Sequence, residues 1–502
     1  MTDRGTSTVV ARVTRRVAMR GLGVSGLGVL TASLLAACGA SSATSQTSST
    51  TTHVSSTSPA VSASSSTTAL TTSATSSAAS STSASVAPAT TSSAAAAAPS
   101  RAAVSLRWVT NDAPRAKLLD QLAKKFEAAN PGLSVTHQDA TGPYDSTTIS
   151  TWAASGSLPD VFYNRTFYTA FRAYQGWTVP LDPYVQRDKV SLDEFYPAEM
   201  NNCTWQGKVQ SLPYDWSVFG IFYNVDMFKS AGVNPPPQDG NWTWNDLLQI
   251  AQHFTKTTNG RQTQWGYNGQ PNDWVAFGVL EANGGQILSS DLKKCIIADP
   301  QNIQTLQFFT DLVRKWHVSP GPGDVPTAVK DPFASSLVAM VYQGSWAILN
   351  ERSLIGSRFD WDVAPLPKGS TGKLPTTGAG GAWSIGVNSK QKDDAWLLLK
   401  YITSPEAENY LVSEQVGSLP GNVKSMPAYL DALNKNAQPP QHASIFPDEA
   451  KQAFPVPNIP YYNQFIAALD PIFGSIYAGQ SPQAMLQQLE TAANAFIPQY
   501  TF

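Results

Sequence analysis

The chain has 502 residues, too many for one ordinary hydrophobic core, so two or more folded units are expected. Its formal net charge of -2 excludes the basic footprint that a nucleic-acid partner requires. Charged residues make up only 14% and aromatic residues 10%, with 14 Trp and 35 Pro, which is unlike a charge-rich cytosolic enzyme.

The first residues read as a targeting segment. Thr14-Arg15-Arg16-Val17-Ala18-Met19-Arg20 precedes a mildly apolar, Gly-rich run, Gly21 to Ala37, which ends in Leu35-Ala36-Ala37-Cys38. A basic part, an apolar part and small residues at a cleavage site make residues 1–37 an export signal. Arg15-Arg16 is similar to a twin-arginine signal, with Ala18 where that pattern prefers an aromatic. Leu-Ala-Ala-Cys resembles a bacterial lipobox, whose cysteine, here Cys38, becomes lipidated and N-terminal after cleavage. A plain transmembrane anchor is the competing reading, for which the run is short and glycine-broken. Removing residues 1–37 takes away five Arg and one Asp, leaving 29 basic against 35 acidic side chains. Anionic lipid would not hold so acidic a chain, so the acyl chains on Cys38 must do the anchoring. Residues 38–101 are, after Cys38, almost wholly Ser, Thr and Ala, and cannot bury enough surface to offset ordering entropy. As a flexible coil of about sixty residues this tether spans roughly 40 Å. Cys203 and Cys295 are left, either as a disulfide or as two buried thiols.

The folded part begins with an alternating strand at Val104–Val109, a helix carrying Leu118, Leu122 and Phe126, and a strand at Leu133–His137. A polar helix over Ser146–Ser155 and a strand at Pro159–Tyr163 complete a β-α-β-α-β rhythm, which implies a parallel sheet. Ligands collect beyond the carboxyl ends of such strands, which points to Asn111-Asp112 and Asn164-Arg165. Leu212-Pro213 is expected to end a piece of structure, ahead of Tyr214-Asp215-Trp216 and a buried strand at Val218–Asn224. Asp215-Trp216 is read as the passage from one lobe to the other. A short helix, Asp226–Ala231, stops at Gly232, and Thr243 with Asp246 resembles a capping box opening a helix with Leu247, Ile250, Ala251 and Phe254 inward. Further on come an apolar helix reaching Asn283-Gly284-Gly285, a helix opened by Asp299-Pro300, a buried strand Leu337–Tyr342 and an extended Trp361–Pro367. A loop Gly369–Gly381 precedes a strand at Trp383–Val387, then helices at Asp393–Ile402, Pro405–Glu414 and after Ser481-Pro482.

Taken together, these pieces resemble the extracellular solute-binding proteins of ABC importers, in the sugar-binding, maltose-binding-like branch. The matching residues are Pro159-Asp160-Val161, Leu212 to Trp216 leading to Tyr223-Asn224, Trp242 to Leu247, Asn283-Gly284-Gly285, Gly344-Ser345-Trp346, Pro365-Leu366-Pro367 and Leu419-Pro420. The resemblance implies a two-lobed α/β Venus-flytrap fold with a hinge and a ligand cleft. By position, lobe one would be 102–214 and 365–415. Lobe two would be 216–363, with 416–502 as lobe-two and hinge-packing helices. It further implies a monomer without cofactor, held by lipid at the outer face of the cytoplasmic membrane, passing a carbohydrate to ABC permease subunits.

A pyranose offers an apolar C–H face for aromatic rings and a rim of hydroxyls for polar groups. Trp216, Trp274 and Trp346, with Trp383 as a fourth, are the candidate rings, each of which could equally be a core residue. Asn111, Asp112, Asn164, Arg165 and Asp215 are the candidate polar partners, against helix capping or a surface ion pair, and Gly381, with Gly380, would let backbone approach the guest. The rivals are an exported glycan hydrolase using Asp112 and Asp215 as its carboxylate pair, and a sensing receptor with the same fold. Residues 425–460 match nothing in the family pattern and receive no assignment.

Overall fold

A computed structural model describes residues 103–140, 147–414, 416–435 and 438–502. The export segment, Cys38 and the tether lie outside the described residues. None of the described helices is long and apolar enough to cross a membrane.

Two sheets organise the chain. In the first, Val104–Thr110 pairs in parallel with Leu133–Asp139 on one side and Val161–Arg165 on the other, the β-α-β-α-β start expected above. Helix Ala116–Ala129 covers it by burying Leu119, Leu122, Ala123 and Phe126, spaced to fall on one face. The sheet then departs from the all-parallel expectation. Thr377–Ile385 adds antiparallel beside Val161–Arg165, and Leu212–Ser217 and Leu419–Pro420 follow antiparallel beyond it. Pro213 therefore sits inside a strand rather than ending one. The pairing shifts register between Gly381 and Ala382, opposite it, and such irregularities are where sheets accommodate proline. Likewise, strand Thr377–Ile385 takes up residues read above as loop.

The second sheet runs in the order Trp361–Ala364, Phe219–Asn224, Val338–Gly344, Arg261–Asn268, Lys256–Thr258. Asn224 caps the following helix, Val225–Ala231, by accepting from the Met227 N–H at 2.9 Å, and Gly232 closes it with φ +64°. The Thr243–Asp246 capping box is present at the head of Trp244–Phe254. Leu247, Ala251 and Phe254 are buried there, and Ile250 is half-buried.

The chain leaves the first sheet at Ser217 and enters the second at Phe219, with only the buried Val218 between. It returns through residues 365–376. The two passages touch, because the Phe219 N–H donates to Thr376 Oγ1 at 3.1 Å. Helices Met426–Asn434 and Ile445–Gln452, from the unassigned region, pack behind these passages. There Tyr429, Leu433, Phe446 and Ala450 share a core with Trp216, Val218, Phe222 and Trp361. The closing helices Tyr462–Tyr477 and Pro482–Phe496 join the core around the second sheet instead. Cys203 and Cys295 are separate buried thiols.

Candidate ligand cleft

The strand ends of the first sheet and two aromatic corners of the second face a cleft of about 570 Å³. Asn111 and Asp112 follow the first strand, Tyr163 and Arg165 end the third, and Asp215, Ser217, Ala379 and Gly380 come from the two antiparallel strands. Opposite stand Trp274, Trp346 and one side of helix Ile348–Ile355.

The first-lobe wall is a closed charge network built on Arg115, a residue the sequence reading passed over. Arg115 is only 7% exposed. Its Nε donates to Asp112 Oδ2 at 2.7 Å, its Nη2 reaches Asp215 Oδ2 at 3.4 Å, and its guanidinium lies 4.9 Å from the Tyr214 ring centre. Tyr214 Oη also donates to Asp112 Oδ2, at 2.8 Å, and the Asp112 N–H donates to Asp139 Oδ1 at 2.7 Å. Asp112 therefore makes an ion pair and no helix cap. Burial alone would depress the Arg115 guanidinium, but Asp112, Tyr214 and Asp215 outweigh it and hold it above its ordinary value. Asp215 accepts the Gly381 N–H at 2.6 Å, yet burial still pushes its carboxyl up against the opposing pull of Arg115 and that N–H. Behind Gly380, burial raises the Glu199 carboxyl well above its ordinary range, with Asp215 and Glu408 adding to the rise.

Four of the expected site residues do not face the cleft, and strand alternation is the main reason. Side chains on a strand point to opposite faces in turn. Tyr163 and Arg165 line the cleft, so Asn164 points away. It is fully buried, accepting from Arg172 Nη1 at 2.5 Å and donating to Thr169 Oγ1 at 3.2 Å. Asp215 and Ser217 line it too, so Trp216, 0% exposed, packs into the hinge core against Tyr196 with ring centres 6.5 Å apart. Trp383 is buried in the first-lobe core, 4.8 Å from Tyr214 and 5.4 Å from Trp108. Gly381 is not part of the lining. A Cβ there would come within 2.2 Å of the Tyr163 ring, so it is the packing of Tyr163 that demands glycine.

Trp274 and Trp346 do line the cleft. Trp274 stacks on Phe167 at 5.9 Å and lies 5.8 Å from Trp346. Trp346 is 40% exposed, a large apolar surface left open. Its position follows from the two residues before it. The Ser345 N–H donates to Val218 O at 2.9 Å, and a Cβ on Gly344 would come within 1.9 Å of the indole. Indole faces on one wall and a fixed set of donors and acceptors on the other suit a ligand with flat apolar and polar parts.

The profile of the bacterial extracellular solute-binding proteins matches residues 112–409, more than half of the chain. The chain belongs to this family. It is a family of binding proteins, so the hydrolase alternative falls. Among relatives of this solute-binding protein, a putative binding protein of Brucella abortus is 24% identical over 382 residues, spanning 75% of this chain and 89% of its own. The multiple sugar-binding protein of Streptococcus mutans is 25% identical over 312 residues, spanning 58% and 68%. An ABC substrate-binding protein from Listeria monocytogenes, solved in complex with cycloalternan, superposes with a TM-score of 0.71 at 24% identity, over 78% of this chain and 99% of that one. The two-lobed periplasmic-binding-protein fold is thereby established.

Proposed function

We propose that this solute-binding protein captures a carbohydrate, a mono- or oligosaccharide, in the cleft between its lobes and delivers it to the permease of an ABC transporter. In this reading Cys38 carries the lipid that holds the protein at the outer face of the cytoplasmic membrane, and residues 39–101 give it reach. The observation that carries the proposal is the pairing of the half-buried Trp274 and the exposed Trp346 with the Asp112–Arg115–Asp215 network across one cleft. Pyranose rings stack on such indoles through their C–H faces, and their hydroxyls meet the network and Arg165 in charge-assisted hydrogen bonds. The sugar-binding relative from Streptococcus and the cycloalternan complex from Listeria support the same ligand class. Two short passages joining the lobes are suited to hinge closure around a guest, for which periplasmic binding proteins are a standing example.

Thermal unfolding across a panel of sugars, amino acids and peptides tests the ligand class, because a guest that binds only the native state raises its apparent stability. A carbohydrate is expected to raise the melting temperature. A shift from amino acids or peptides with none from any sugar would overturn the assignment.

A further inference from the structure

The Trp274–Trp346 pair also lines a second compartment, of about 600 Å³, on the second lobe. It is as large as the main cleft, and either volume alone falls within the range of about 300–1,000 Å³ usual for a complete small-molecule site. The two indoles line both spaces. The aromatic wall is also continuous, since Phe219 lies 5.2 Å from Trp346 and 4.7 Å from Tyr342, and both Phe219 and Tyr342 face the annex.

The polar lining of the annex differs in kind from that of the main cleft. Gln270, Asn272 and Gln343 offer amides, and Asp273 and Asp470 offer carboxylates, while among the described residues its lining contains no Lys, Arg or His. The main cleft, by contrast, holds Arg115 and Arg165 beside its acids. The two annex acids are neighbours, since the Asp273 N–H donates to Asp470 Oδ1 at 3.2 Å. Burial pushes the Asp273 carboxyl up to about 6, with Asp470 adding to the rise and Arg165, from the main-cleft side, opposing it. Hydroxyl groups would find strong acceptors in the annex. A guest carboxylate or phosphate would meet two acids without a counter-ion of its own.

We propose that this annex receives the outer units of an elongated guest, and that it admits neutral sugar units while rejecting acidic ones. The inference rests on the carbohydrate reading above and narrows it to a neutral oligosaccharide.

Gly474 provides the test. It lines the annex from within helix Tyr462–Tyr477, and a Cβ built there meets nothing within 4 Å. Gly474→Met would therefore project a long side chain into the annex and obstruct it, while replacing a poor helix former with a good one. Titration calorimetry would compare wild type and variant against α-1,4-gluco- and β-1,4-manno-oligosaccharides from monomer to pentamer, and against pentamers ending in a uronic acid. In wild type, affinity is expected to rise at least tenfold from the shortest to the longest binder, and to fall at least tenfold for the acidic pentamer. Gly474→Met should abolish the gain with length, and Asp273→Asn/Asp470→Asn should recover affinity for the acidic pentamer. Affinity independent of length, a gain that survives Gly474→Met, or equal binding of acidic and neutral pentamers would overturn the annex alone. If no member of either series binds and no sugar of the melting panel shifts the unfolding temperature, the carbohydrate reading falls with it.

Discussion

The two walls of the cleft solve opposite problems. On the first lobe every charged group of the network already has a partner before a guest arrives. Arg115 holds Asp112 and Asp215, Tyr214 and Gly381 supply further donors, and the set is almost wholly buried. On the second lobe Trp346 stands two-fifths exposed, with a neighbouring indole and Phe219 propping it in place. A buried charge cannot be left waiting, because an unpaired ion in a low-dielectric site costs several kcal/mol. An indole can wait, because exposing it costs only the burial it forgoes, at about 25 cal/mol per Å². The polar wall is thus part of the fold as well as of the site, whereas the exposed indole of Trp346 belongs to the site alone.

The largest break in that contrast is Arg115→Ala, which strands Asp112 and Asp215. It should cost about 3–5 kcal/mol of stability, read from denaturant unfolding. A loss under 1 kcal/mol would mean the network is solvated after all. Next, two tryptophans near one hinge should behave in opposite ways. Trp216→Ala should destabilise by about 3–5 kcal/mol as a core truncation. Trp346→Ala should leave the unfolding midpoint nearly unchanged while weakening sugar binding by about 2 kcal/mol, on the order of thirtyfold. Equal losses of binding and stability in both variants would erase the distinction between core and cleft indoles.

A pH-dependent effect sharpens the comparison at the return passage. Glu449 is 1% exposed and accepts the Leu366 N–H at 3.2 Å. Burial raises its carboxyl from 4.5 to about 8, despite that hydrogen bond. Between those values the folded state keeps a proton that the unfolded chain has lost, so stability falls as pH rises through the window. Glu449→Gln should remove a slope on the order of 1 kcal/mol per pH unit. It should therefore unfold at higher denaturant than wild type near pH 8 and at about the same concentration near pH 4. Parallel pH profiles for the two proteins would refute the assignment.

What could be read from the chain alone was what depends on near neighbours. The Thr243–Asp246 capping box, the glycine stop at Gly232 and the early β-α-β-α-β rhythm are local, and all three are present. Which face of a strand a residue takes is not local. Shifting phase by one residue moves Trp216 from cleft to core and Asn164 from hydroxyl partner to buried strut, and the phase is set by pairing with distant strands. Arg115 escaped notice for a similar reason, because what makes it a site residue is that it ties nearby Asp112 to Asp215, 100 residues away. Trp274 and Trp346 lie in corners after a loop and a strand end, where no alternation rule can misplace them. The helices of 425–460 carry no family landmark, and only the hinge core they complete gives them a purpose.

Tryptophan fluorescence during titration with the sugar that most raises the melting temperature tests the central claim most directly. Closure of the cleft over an exposed indole predicts a saturable blue shift in the wild type, and its loss in Trp346→Phe with folding intact. Saturable binding by calorimetry with no spectral change, or an identical shift in Trp346→Phe, would contradict capture of the guest against this wall.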